Sequence, residues 1–178
     1  MKDVYATMKL GGISMELFRN GEILLADVDG VLLNSQERFN QVLKKENSVE
    51  EWHDYLTSIN WDEFLHECEF IPHALEVFQE LEELKILRGF ISKFHSLEEG
   101  KQKGYFLREH NFHVPLYLVP PDQRKSVIYV PNRKVILLDD KGSNYEEWEE
   151  DGGKSILFND KEMITEKRYV KSLLELLK

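Results

Sequence analysis

Short apolar runs alternate along the chain with longer segments of helical periodicity. The runs predict strands at residues 21–30, 86–91, 115–119, 134–138 and 154–158. In the first run the apolar residues are continuous rather than alternating, which is typical of a strand in a parallel sheet covered on both faces. The pattern therefore predicts a sheet buried between layers of helices.

Helical periodicity fills most of the intervals between these strands. Pro72 begins a segment through Leu84 whose apolar residues fall on one helical face. Further helices are predicted at residues 97–110, 144–150 and 165–177. Residues 126–130 fit either a strand or part of a helix. Strands that alternate with helices predict an α/β fold, with a Rossmann-like parallel sheet flanked by helices.

The alternation is interrupted after the first strand. Residues 34–70 are helical and rich in aromatic side chains, so we expect a small helical cap inserted into a core domain of residues 21–33 and 71–178. Residues 1–20 show weak periodicity and are expected to form an N-terminal arm or short hairpin. With 178 residues, the chain is long enough for one domain with a sizeable core.

Charge and composition narrow the classes of partner. Lys and Arg number 23 against 33 Asp and Glu, a net charge of −10, which disfavours nucleic-acid polymers and anionic membranes. The single cysteine, Cys68, excludes a disulfide framework, and we interpret it as a small buried residue of a helix. No run reaches the roughly 18 apolar residues of a membrane span, and residues 1–18 are too polar for a signal-peptide core. A reducing, cytoplasmic location is therefore expected.

Two of the predicted strands end in paired carboxylates, Asp27 with Asp29 and Asp139 with Asp140. Ligands of open α/β sheets bind at the carboxyl ends of strands, so the two pairs are expected to converge. Clustered carboxylates repel one another unless a cation lies among them, and oxygen ligands suit Mg²⁺. An aspartate after a strand can also cap a helix or make a turn, but two such pairs together favour a metal site.

The segment from Ile23 to Leu32 resembles the first motif of the haloacid dehalogenase (HAD) superfamily of phosphohydrolases. That motif is an apolar strand followed by Asp-x-Asp-Gly-Thr/Val-Leu. Further residues follow in the order of that family, namely Ser92 at a strand end, Lys125, Asp139-Asp140 and Asn144. The resemblance covers residues 22 to 160, most of the chain, and implies the HAD fold with a small cap after the first motif.

The resemblance implies a role for each of these groups. Asp27 would be the nucleophile that takes the phosphoryl group, and Asp29 would protonate the leaving oxygen and then activate water. Mg²⁺ would be bound by Asp27, by the backbone carbonyl of Asp29, and by Asp140 with support from Asp139. Phosphate oxygens would be bound by two further residues, Ser92 and Lys125.

Other basic residues are candidates for the phosphate-facing cation. Lys93 directly follows Ser92, although Lys125 is favoured because Lys93 can project to solvent. Solvated helix or loop positions are expected for Lys101, Lys103 and Arg124. The six histidines, His95 among them, show no metal spacing and are expected at the surface or at helix ends.

Within the superfamily, the chain resembles the 5′(3′)-deoxyribonucleotidases. The similar features are the acidic pair with Asn144, Trp148, and a strand ending near Phe158 and Asn159. Nucleobases stack on aromatic faces, which makes several cap residues candidates for substrate binding: Phe39, Trp52, Trp61 and Phe64. Aromatic residues at helical spacing in a small cap can equally form its core.

The resemblance therefore implies Mg²⁺-dependent hydrolysis of a phosphomonoester, with (deoxy)nucleoside monophosphates as the leading substrates. Two alternatives stay open. One is a phosphatase for another small metabolite such as a sugar phosphate, and the other is a catalytically silent nucleotide-binding regulatory protein. The intact Asp27 and Asp29 count against the silent protein, which has no chemical need for them.

Overall fold

A parallel β-sheet forms the centre of the computed structural model, which describes residue 18 and residues 21–42, 48–158 and 168–178. The sheet has six strands in the order β3-β2-β1-β4-β5-β6. These are β1 (Ile23–Ala26), β2 (Leu87–Lys93), β3 (Leu116–Val119), β4 (Val135–Asp139), β5 (Lys154–Phe158) and β6 (Tyr169–Val170). Most of the expected N-terminal arm, and Asn159, lie outside the described residues.

Helices cover both faces of the sheet, which confirms the predicted α/β fold. They are α1 (Ser35–Val42), α2 (Val49–Ser58), α3 (Trp61–Glu67), α4 (Ala74–Glu83), α5 (Leu97–Glu109) and α6 (Gly142–Glu150). Successive residues of β1 point to opposite faces, so Leu24 packs in the larger core cluster and Leu25 in a smaller one with Trp148. None of the described helices is long and apolar enough to cross a bilayer.

The first three helices occupy the segment where a cap is expected. Its two ends meet beside the sheet, because Asn34 N donates to Glu69 O at 2.8 Å and Ile71 N donates to Leu32 O at 2.9 Å. Cys68 is buried at the C-terminal end of α3, in agreement with the sequence interpretation. Both ends of this segment thus lie next to the loop that follows β1.

One predicted element differs from the structure, and one open alternative is decided. A helix over residues 165–177 is wrong for the described part, because Tyr169 and Val170 pair with β5 as an edge strand. A 3-10 helix, Leu173–Leu177, follows it, and Ser172 caps this helix with a capping box. Of the two alternatives for residues 126–130, the structure has the helical one: a single 3-10 turn, Lys125–Val127, lies at this position and carries a buried lysine.

Candidate active site

The carboxyl ends of three neighbouring strands build the site. β1 lies between β2 and β4, so the chain order reverses at β1 and opens a crevice beyond its end. Asp27 follows β1, Ser92 lies near the end of β2, and Asp139 ends β4. The sheet therefore gathers residues that are far apart in the sequence.

Lys125 joins the first carboxylates of the two acidic pairs. Its Nζ lies 2.7 Å from Oδ2 of Asp27 and 2.7 Å from Oδ2 of Asp139, and all three side chains are nearly inaccessible to solvent. Asn144 also donates to both oxygens of Asp139 at 3.0 Å. Asp139 is thus held by several donors. Asp27 has fewer donors, since among the described residues its other oxygen accepts a hydrogen bond from Val28 N at 2.7 Å.

Burial dominates the electrostatics of Asp27 and Asp140. Desolvation, helped by the charges of Asp139 and Asp29, outweighs Lys125 and raises the pKa of Asp27 to about 7. Desolvation and the charge of Asp139 raise the pKa of Asp140 to about 6. The ionised forms of these carboxylates therefore lack sufficient compensating positive charge in the protein alone.

These carboxylates fit a divalent cation. Asp27, Asp139 and Asp140 each offer an oxygen within 4.8 Å of the other two. Oδ1 of Asp140 is buried and has no hydrogen-bond partner among the described residues, which leaves a lone pair available. An all-oxygen set with an unsatisfied buried carboxylate oxygen suits Mg²⁺.

Gly30 makes room for Asp140. A Cβ atom on residue 30 would lie 2.2 Å from Oδ2 of Asp140, and the backbone has a φ of +76°. Both features require glycine at this position. The turn after β1 is closed by Gly30 N, which donates to Leu33 O at 2.8 Å.

Asp29 is held by Lys103, for which the sequence predicts a solvated position. Nζ of Lys103 lies 2.6 Å from Oδ2 of Asp29, and Ser92 Oγ donates to the same oxygen at 3.1 Å. Burial raises the pKa of Asp29, but the ammonium of Lys103, with hydrogen bonds from Ser35 and Ser92, outweighs it and holds that pKa below its usual value. Asp29 is therefore fixed as a carboxylate.

The expectation of a solvated position is wrong for Lys103 because it lies on the buried face of α5. Its side chain is 1% exposed and also contacts Glu99 at 2.7 Å. A sequence signal existed, since Lys103 follows Glu99 by one helical turn and precedes the buried Phe106 and Leu107. Lys101 and Arg124, by contrast, make surface ion pairs, as expected.

A small cavity opens onto these groups. Its volume is about 80 Å³, and Asp27, Asp29 and Asp140 line it together with Lys93, Lys141 and His95. Lys93 is half-buried in its wall rather than projecting freely into solvent. Lys125 contacts Asp27 but is not among the residues that line this cavity, so of these two lysines it is Lys93 that is exposed to it.

The four candidate cap aromatics separate into two groups. Trp61 and Phe64 are each 3% exposed, pack against Phe39 at ring distances of 6.3 and 4.6 Å, and belong to the same hydrophobic cluster as the sheet residues. Trp52 is half-buried and lies 5.8 Å from the Phe39 ring. Phe39 itself lines the cavity, and it is the candidate that the structure places next to the carboxylates.

Comparison with known proteins rests on structure, because no protein-family model and no curated protein matches the sequence. A solved dehalogenase shares 16% identity with a TM-score of 0.57, covering 87% of this chain and 95% of its own. A HAD-superfamily hydrolase from Ehrlichia chaffeensis shares 11% identity with a TM-score of 0.54, covering 86% and 93%. A haloacid dehalogenase-like hydrolase from Streptococcus pneumoniae shares 12% identity with a TM-score of 0.54, covering 88% and 96%. The chain therefore has the fold of haloacid dehalogenase-like hydrolases.

Proposed function

We propose that the protein is a Mg²⁺-dependent phosphomonoester hydrolase that works through an aspartyl-phosphate on Asp27. The observation that carries the proposal is the position of Asp27, which lies 2.7 Å from a buried lysine, within a group of three carboxylates, on the wall of a cavity. A nucleophilic carboxylate needs a cationic surrounding in order to receive an anionic phosphate.

Each residue of the site has a role in this proposal. Lys125 orients Asp27 and, together with Mg²⁺, favours its ionised form, while Lys93 and Ser92 meet the phosphate oxygens. Asp29, held as a carboxylate by Lys103, accepts a proton from the water that hydrolyses the aspartyl-phosphate. Asp27, Asp140 and Asp139 would hold Mg²⁺, with the backbone carbonyl of Asp29. The ion supplies positive charge that offsets the carboxylates and the phosphate.

The cavities support a substrate with a small phosphoryl end and a larger remainder. The 80 Å³ cavity is well below the roughly 300–1,000 Å³ of pockets that enclose whole ligands. A cavity of about 680 Å³ adjoins it through Gly30, Gln36 and Asp140, and Phe70 and Phe158 are in its lining. We propose a (deoxy)nucleoside monophosphate as the leading substrate, since aromatic faces at both cavities suit a base.

A second candidate is a phosphatase for another small metabolite such as a sugar phosphate. The lining of the larger cavity favours it, because Asn34, Gln36 and Asn40 offer amide groups to hydroxyls. A dehalogenase is among the similar structures, but the clustered carboxylates, Lys125 beside Asp27 and Lys93 in the cavity wall favour a phosphorylated substrate with a metal.

A phosphate-release screen tests the proposal. Native protein is assayed with deoxy- and ribonucleoside monophosphates, sugar phosphates and phosphoamino acids, with Mg²⁺ and with chelator. Turnover that requires Mg²⁺ is expected, with nucleotides hydrolysed fastest. Absence of turnover on every substrate, with Mg²⁺ present, would instead favour the catalytically silent nucleotide-binding protein.

A further inference from the structure

His95 lies between β2 and α5 and lines the same cavity as Asp27 and Asp29. The ring is held on one side only. Its Nδ1 lies 3.3 Å from Oε2 of Glu99, and the His95 backbone N donates to the same oxygen at 2.6 Å. Among the described residues, no hydrogen bond involves Nε2. The histidine is therefore fixed through one nitrogen, and the other is available to a ligand.

Glu99 has the properties of an orienting group. Its side chain is 3% exposed, and its other oxygen accepts from Nζ of Lys103 at 2.7 Å. An ion-paired carboxylate only accepts hydrogen bonds. In the hydrogen bond between His95 and Glu99, the hydrogen is therefore on Nδ1 of His95. A buried carboxylate on Nδ1 fixes the orientation of the ring and places the hydrogen of this bond on Nδ1.

A phosphomonoester with a poor leaving group needs a proton on the departing oxygen. The family resemblance implies this task for Asp29, but Oδ2 of Asp29 already accepts hydrogen bonds from Lys103 at 2.6 Å and from Ser92 at 3.1 Å, which favour the carboxylate without a proton. His95 is the histidine that lines the cavity, and histidine is the usual side chain for proton transfer near neutral pH.

We propose that His95 is a catalytic residue of the phosphomonoester hydrolysis, donating a proton from Nε2 to the oxygen that leaves with the product. This inference rests on the proposed function. As an oxygen of Asp27 bonds to phosphorus and the bond from phosphorus to the leaving oxygen breaks, the proton passes from the imidazolium to that oxygen. The neutral ring keeps its Nδ1–H bond to Glu99. Because the side chain is 44% exposed, it recovers the proton from solvent.

Charged groups from several elements and loops line the cavity together with His95. Those of opposite sign are Glu99 on α5 and the acids Asp27, Asp29 and Asp140. Those of like sign are Lys93 on β2 and Lys141 before α6. Both signs are therefore present, and the ion-paired Glu99 is the charged group that contacts the ring directly.

Substrates whose leaving groups differ in basicity distinguish proton donation by His95 from a purely structural role of this residue. Native protein, His95→Asn and the control His113→Asn are assayed for kcat/KM on 4-nitrophenyl phosphate and on an alkyl phosphomonoester. The nitrophenolate departs without a proton, whereas the alkoxide does not. His113 is a suitable control because its side chain is 78% exposed and lines a different cavity.

For His95→Asn we expect kcat/KM to fall about 10²-fold on the alkyl ester and no more than about threefold on the aryl ester. The control should change neither value, and circular dichroism should show that both variants are folded. Equal losses on both esters, or no loss on either, would overturn the role of His95 while leaving the proposed function standing. If the native protein hydrolyses neither ester nor any substrate of the screen, the proposed function itself is contradicted.

Discussion

Nζ of Lys103 lies 2.6 Å from Oδ2 of Asp29, although the two residues are 74 positions apart in the sequence. The same ammonium contacts Glu99 at 2.7 Å, and the lysine side chain is 1% exposed. One buried cation thus ties the loop after β1 to helix α5. Despite burial, the pKa of Asp29 stays below its usual value through this contact, and that of Glu99 through a hydrogen bond from His95 and the charge of Lys103. The pKa of Lys103 is raised by the two carboxylates.

Replacing Lys103 with Met should destabilise the protein by about 3–5 kcal/mol at pH 7, because two buried carboxylates lose their shared cation. Asp29 has a lowered pKa in the folded state. Its contribution is therefore present above its ordinary pKa of 3.8 and is lost as pH falls through the folded value. Urea unfolding of native protein and K103M should show a gap that narrows below about pH 4. K101M, at an exposed position of the same helix, should change little. A gap that stays constant down to pH 2 would contradict the ion pair.

Replacing Gly30 with Ala should abolish stabilisation by Mg²⁺. The new Cβ would lie 2.2 Å from Oδ2 of Asp140 and force this carboxylate away. Gly21 offers a matched control, since its φ is also positive, at +67°, but a Cβ there meets no atom within 4 Å. Both variants carry backbone strain of about 1 kcal/mol or more, and only G30A should lose the rise in Tm with Mg²⁺. Equal responses to Mg²⁺ in the two variants would exclude Asp140 from the metal site.

Stabilisation by Mg²⁺ should increase with pH. The pKa of Asp27 is raised to about 7 and that of Asp140 to about 6, from 3.8 in both cases. The folded protein therefore retains protons that the unfolded chain has released, and these two groups lower stability as pH rises from about 4 to 7. Mg²⁺ binds the ionised carboxylates. At 100-fold excess over its Kd it should add about 2.7 kcal/mol near pH 8 and much less near pH 5.

The measurement for this pH dependence is Tm with and without Mg²⁺ across the range, in native protein and in the double variant D27N/D140N. The double variant removes both raised carboxyl groups, so its metal-free stability should fall less between pH 4 and 7. A Mg²⁺ effect of the same size at pH 5 and pH 8 would contradict a site built from these carboxylates.

Substitutions of two aromatic residues, Phe39 and Trp61, should distinguish a role in substrate binding from a role in core packing. Phe39 lines the cavity, so F39L should lower kcat/KM for nucleotide substrates by the equivalent of about 1–3 kcal/mol. The same substitution should lower kcat/KM for phosphosugars much less. Trp61 is 3% exposed, so W61A should cost about 3–5 kcal/mol of folding stability without changing the ratio of the two substrates. Equal losses on both substrates in F39L would contradict base stacking at Phe39.

The sequence allowed the parallel sheet and the two acidic pairs to be predicted, because a buried strand and a following carboxylate are local features. Asp27 and Asp139 could therefore be placed at one edge of the sheet. The buried position of Lys103 could not be predicted, because lysine is rarely buried and its partner Asp29 comes from a distant strand end. The α-helix predicted for the C-terminal residues is wrong for another reason. The apolar spacing of Leu173, Leu176 and Leu177 fits an α-helix and a 3-10 helix alike.

The central claim is that Asp27 receives the phosphoryl group. The most direct measurement is acid quenching of native protein and D27N during turnover of a ³²P-labelled substrate from the screen, followed by peptide mapping. We expect label on the peptide that contains Asp27 in the native protein, released at alkaline pH as an acyl phosphate is, and none in D27N. Label on a different residue, or undiminished turnover by D27N, would contradict the account.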